Sequence, residues 1–292
     1  MSIARKKILV FLLLTFASSS VFYYLIASSG SIQPYAAGLM WCPGVAALIT
    51  QLVFQHNLRG LGWSLGRFKY LLVSYGLPAI YGGIIYGVAW LTGLGKFVPA
   101  EMGEWIIAQW NVGIHSPYIA VVVYTLVMAT LGILMSGLTA VGEEIGWRGL
   151  LVPELAKETS FTKTALISGV IWAIWHSPGI LFADYNNFGA PIWFGLICFV
   201  ISIVGISFAF TWLRLRSGSL WTGVILHASH NLFIQGIFTP LTADTGITAY
   251  VIDEFGLGLA LLAVLTAWLF WRKRGELPEV SGNVRHLRQG EA

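Results

Sequence analysis

Apolar residues in this chain run on for stretches far longer than a soluble helix or strand needs. No Asp, Glu, Lys or Arg stands between Lys7 and Arg59, or between Lys69 and Lys96. A helix crosses the hydrocarbon core of a bilayer with about 20 apolar residues. The pattern divides into eight such segments, at about 8–28, 36–55, 70–94, 118–142, 163–183, 191–213, 218–238 and 255–271. The fourth meets no proline before Pro153, so its helix is expected to continue well past residue 142. The expected fold is all-α: a polytopic membrane helical bundle of about eight transmembrane helices. One domain would cover residues 1–275, with a core at 118–238, and the polar stretch 276–292 reads as a disordered cytoplasmic tail.

Composition agrees. Of 292 residues, 57% are hydrophobic and 10% charged, against about a quarter charged in a soluble domain. The surplus apolar surface calls for lipid, which makes this a multi-pass integral membrane protein, in the plasma membrane if the source is bacterial. Arg5-Lys6-Lys7 ahead of an apolar run has the look of a signal peptide. The run from Ile8 to Ala27 is long for one and lacks a clear A-x-A site, so it reads as a retained first helix. Eight spans put both termini on one side, together with all of the 17 Lys and Arg residues except Lys96. Basic loops stay cytoplasmic, so both termini are expected there. The high pI reports this topology and implies no nucleic-acid partner. The outer loops carry Glu101, Glu104, Asp184, Asp244, Asp253 and Glu254. Cys42 and Cys198 lie in apolar segments and read as buried thiols, and His56, His115 and His286 read as solvated.

Against this background a few ionisable residues fall at membrane depth, where charge costs several kcal/mol and marks pairing or chemistry. Glu143-Glu144 precede Arg148. Glu144 and Arg148 are four residues apart and pair on a helix, while Glu143 turns about 100° away and stays available for a proton. Trp172 and His176 share a face, ahead of Pro178, and Trp172 reads as packing. His227 and Asn231 share another face, with His230 a rival for the same pocket. Measured from Lys157, Lys163 and Arg216 at about 1.5 Å per residue, Glu143, His176 and His227 lie roughly 21, 20 and 17 Å along their helices. Three helices thus bring polar groups to similar depth, as a shared site requires.

In order and spacing these clusters resemble the CAAX-protease and bacteriocin-processing (CPBP, or Abi) family. Its EExxxR motif corresponds to Glu143, Glu144 and Arg148. Its aromatic-xxx-His corresponds to Trp172 and His176, with Trp where Phe is usual, and its HxxxN to His227 and Asn231. The resemblance implies an eight-helix membrane endopeptidase acting on a peptide or lipidated-protein substrate. Relatives cut near the C-terminus of prenylated proteins, or are linked to peptide maturation and bacteriocin immunity.

The expected reaction is hydrolysis by activated water. Glu143, helped by His176, takes the proton of the water. His227 and Asn231 donate to the developing oxyanion, and Arg148 holds Glu144. The same residues leave a metal open: Glu143, His176 and His227 are a candidate zinc set with water as fourth ligand, although no HExxH is present and no obligatory cofactor is assigned. Two other readings use the same groups, a transporter relaying ions through buried Glu and His, and a non-catalytic immunity or scaffold protein.

Overall fold

The computed structural model describes residues 1–111, 113–185 and 189–278. The tail from 279 onward, with Arg285, His286 and Arg288, lies outside the described residues. The chain folds into long helices: α1 (Ile3–Ser29), α2 (Ala36–Gln55) and α3 (Phe68–Thr92), then a short α4 (Pro99–Trp110) and the 40-residue α5 (Pro117–Ala156). They are followed by α6 (Phe161–Phe182), α7 (Ile192–Ser217), α8 (Trp221–His230) and α9 (Leu257–Arg272). Two-residue strands at Lys96–Phe97 and Thr242–Ala243 pair antiparallel.

Among the described residues, six helices are long and apolar enough to cross a membrane: α1, α2, α3, α5, α6 and α7. The last two expected spans differ from the sequence reading. The seventh is helix α8 prolonged by π turns over Asn231–Phe238, and the eighth, α9, has only 16 residues. Helix α4 was not anticipated. It starts on Pro99, a residue whose fixed φ and missing N–H suit the first helical position, and its Glu101 and Glu104 had read as plain loop charges.

The connections fall on two opposite faces. On one, Glu158 accepts hydrogen bonds from Ser2 Oγ and Arg5 Nε, Leu220 N donates to Gly62 O at 2.8 Å, and Trp212 Nε1 donates to Lys273 O at 2.9 Å. The bonds from Ser2 and Arg5 hold the Glu158 carboxyl below its usual range. Nearby, Lys7 and Glu154 form a buried ion pair. On the other face, Asp184 accepts from Ile32 N at 2.7 Å and Ser31 Oγ at 3.1 Å, and Thr248 Oγ1 donates to Leu94 O at 2.7 Å. Basic loops thus cluster at one end of the bundle and acidic loops at the other, as the charge pattern requires.

Apolar side chains divide by depth in the bundle. Leu13, Leu91, Leu126, Leu134 and Ile174 are exposed, facing outward. Phe11, Trp147 and Trp175 are buried and meet edge to face, with centroids 5.6 Å apart for Phe11–Trp147 and 5.8 Å for Trp147–Trp175.

Helices α2 and α5 touch backbone to backbone. A Cβ at Gly44 would sit 2.5 Å from Gly142 O, one at Gly142 2.8 Å from Met40 O, and one at Gly146 2.5 Å from Pro43. Gly142 and Gly146 form the GxxxG spacing that permits such an approach in lipid. It fixes the part of α5 that carries both glutamates. Gly146→Ala should therefore destabilise the purified protein by about 1–3 kcal/mol, seen as a lower unfolding temperature in detergent. Gly137→Ala, whose new Cβ meets nothing within 4 Å, should leave that temperature within error; equal behaviour of the two would refute the packing argument.

Candidate active site

Helix α5 carries the first cluster across a change of helical pitch. Its α-helical turns end at Glu144, and Ile145–Leu151 are π-helical. A π turn shifts the angular register of the residues after it. Arg214 Nε on α7 donates to Arg148 O at 2.7 Å within the widened turn, and Arg214 is itself buried.

The two adjacent glutamates have different surroundings. Glu144 Oε1 accepts from Arg148 Nη1 at 2.8 Å and pairs with His227 Nδ1 at 3.0 Å. Among the described residues Glu144 Oε2 has no hydrogen-bond partner; it lies over Gly223, where a Cβ would come within 2.6 Å of it. The Arg148 guanidinium lies 3.7 Å from the Phe210 ring centroid and 4.1 Å from that of Trp172. Glu143 Oε2 instead accepts from two indoles, Trp172 Nε1 at 2.8 Å and Trp147 Nε1 at 3.2 Å, and its carboxylate borders a cavity of about 530 Å³.

His176, His227 and Asn231 border the same cavity. His176 Nδ1 lies 3.0 Å from Trp172 O. A carbonyl only accepts, so Nδ1 carries the proton and neutral His176 keeps the Nε2 lone pair. The same logic at His227, whose Nδ1 faces a carboxylate, puts a proton on Nδ1. Asn231 opens the π-helical turns after α8. The six residues expected from the sequence thus lie together: Glu144 and Arg148 in the wall, Glu143, His176, His227 and Asn231 at its surface.

Trp172 is more than the packing residue expected. Its ring centroid is 5.7 Å from His176 and 5.5 Å from His227, and its N–H holds Glu143. A phenylalanine would keep the ring and lose the bond. Hydrogen bonds to charged groups contribute about 1.5–3 kcal/mol, so Trp172→Phe should lower kcat by about tenfold or more, with KM and unfolding temperature little changed. An unaltered kcat would show that the indole does not position Glu143.

A second polar group was missed. Glu254, expected in a solvated outer loop, is 5% exposed and accepts from Tyr185 Oη at 2.5 Å and Gln235 Nε2 at 2.6 Å, with His230 Nε2 at 2.9 Å. His230 Nδ1 faces Tyr81 Oη at 2.5 Å. His230, read as a rival of His227, therefore belongs to this second network, which borders the same cavity. The loop dips between the helices to bring Glu254 to His230, which is why α9 starts late and is short. The signal available in the sequence was Asp253-Glu254 immediately ahead of an apolar run.

Glu143, His176 and His227 had been the candidate zinc set. Among the described residues no three His, Cys, Asp or Glu side chains gather as a metal ion needs, so no step is routed through zinc. Cys42 and Cys198 are free and buried.

Comparison with known proteins bears on the same segment. A sequence model of the Rce1-like type II CAAX prenyl endopeptidases matches residues 122–233. A CAAX prenyl protease 2 from Methanococcus maripaludis is 34% identical over 114 residues, 38% of this chain and 41% of that relative. The alignment thus spans less than half of either protein. The matched model runs from near the start of α5 to just past Asn231 and contains the whole Glu143–Arg148, Trp172–His176 and His227–Asn231 constellation. Through this segment the chain is similar to the Rce1-like type II CAAX prenyl endopeptidases.

Proposed function

We propose that the protein is an intramembrane endopeptidase that hydrolyses a peptide bond with water activated by Glu143. The observation that carries this reading is the contrast between the neighbouring carboxylates. Glu144 is tied to Arg148 and His227, whereas Glu143 is fixed through one oxygen by two indole N–H groups and borders the cavity. Its other oxygen is then the base for a water in the cavity.

His176, protonated at Nδ1, offers Nε2 to the same water. His227 donates from Nε2 to the oxyanion when it is the imidazolium, a state Glu144 supports through Nδ1. Asn231 supplies a second donor, and the proton taken by Glu143 passes to the leaving amine. Arg148 positions Glu144 without touching the peptide.

Trp147, Leu150, Leu151 and Leu213, on the basic-face side of the glutamates, are all buried and apolar. The substrate class is a peptide or lipidated-protein segment at the membrane. C-terminal peptidomics of cells carrying the wild-type chain against Glu143→Ala tests the proposal: a membrane-associated peptide should lose its new end in the variant. Identical peptide sets, with Glu143-dependent ion flux in liposomes, would replace the peptidase by a transporter.

A further inference from the structure

The cavity has a direction. Its deep end is at Glu143 and His227, sealed toward the basic face by the buried layer of Trp147, Leu150 and Leu213 with Leu61 beneath. Among the described residues, none from the connections at 56–67, 157–160 or 218–220 borders it. The opposite end is built from the other set of loops: Ile32 and Gln33 between α1 and α2, Tyr185 after α6, and Glu254 before α9. Three bordering residues are themselves exposed, Gln33, Ala37 and Gln235. Residues that both line a cavity and are exposed mark where it opens. Gln33 and Ala37 lie at the acidic end of the bundle, and Gln235 lies in the half of 221–238 that leads to it.

Charge fixes which side of the membrane that end occupies. Among the described residues every Lys and Arg but Lys96 lies on or toward the sealed face, and basic loops are retained in the cytoplasm. Asp184, which ties the α1–α2 loop to the end of α6, and Glu254 stand at the open end.

We infer that substrate enters from the extracytoplasmic side, so that the scissile segment belongs to an exported polypeptide or to the outer part of a membrane-spanning one. This rests on the peptidase reading and adds a side to it: a chain end presented in the cytoplasm would meet the sealed layer.

Single cysteines test it in the otherwise unchanged chain, whose Cys42 and Cys198 are buried and give the unlabelled reference. Gln33→Cys marks the mouth, and Ser64→Cys, in an exposed loop of the basic face, is the control. With a membrane-impermeant charged maleimide, Gln33→Cys should react in right-side-out vesicles and not in inverted ones, and Ser64→Cys the reverse. A bulky impermeant maleimide on Gln33→Cys should abolish cleavage of a fluorogenic peptide supplied outside right-side-out vesicles, while the same treatment of Ser64→Cys should not. Labelling of Gln33→Cys from the cytoplasmic side alone, or cleavage only of peptide on that side, overturns the inference and leaves the peptidase reading standing. Absence of any Glu143-dependent cleavage in detergent, where both sides are open, overturns the peptidase reading and the inference with it.

Discussion

Glu143→Gln protein should extract and unfold like the wild type yet lose about 10²–10⁴-fold in kcat, the range for removing a general acid–base group. An amide keeps a carbonyl oxygen where Trp172 Nε1 and Trp147 Nε1 now donate, so the packing around it is largely conserved. What it cannot do is take a proton from water. Burial of Glu143, at 1% exposure, makes that distinction cleaner, because little bulk water is available to substitute as base. The two measurements must be made on the same preparation: unfolding temperature in detergent, and single-turnover cleavage of a confirmed peptide. Full retention of cleavage by a well-folded Glu143→Gln protein would remove this residue from the chemistry. A shared loss of stability and activity would instead identify it as structural.

Much of this site was legible in the sequence because a bilayer makes ionisable residues conspicuous. Glu143, Glu144, Arg148, His176 and His227 stand out from long uncharged runs, and their helical spacing gave the Glu144–Arg148 pair before any coordinates. Charge asymmetry likewise gave the two faces on which the loops gather. What remained hidden came from departures from regular helix and from contacts far apart in sequence. The π turns after Glu144 and His230 have no periodicity signal. Trp172, singled out by its place four residues before His176, still read as packing, since its value lies in an N–H reaching Glu143, 29 residues away. Glu254 was misplaced because a charge beside a predicted span reads as solvated, and only the folded chain shows the loop turning inward to His230. Helix α4 was short enough to pass for a connection.

The adjacent carboxylate should behave in the opposite way. Glu144→Ala leaves Arg148, 2% exposed, as a buried cation clasped between Phe210 and Trp172 without its hydrogen-bonded carboxylate, and removing one partner of a buried pair costs about 3–5 kcal/mol. The variant should therefore aggregate on extraction or unfold at a much lower temperature, and its inactivity would say nothing about chemistry. Replacing both members is informative. Glu144→Ala with Arg148→Met puts an apolar chain between the same rings and leaves no unpaired charge, so most of the lost stability should return, as a positive coupling in the double-mutant cycle. Activity should not return with it. His227 keeps its place beside Trp172 but loses the carboxylate on Nδ1, and with it the support for an imidazolium able to donate from Nε2. A double variant as unstable as the single would show that the pair is held for reasons other than charge compensation. A stable double variant with wild-type kcat would show that Glu144 has no hold on the reaction through His227.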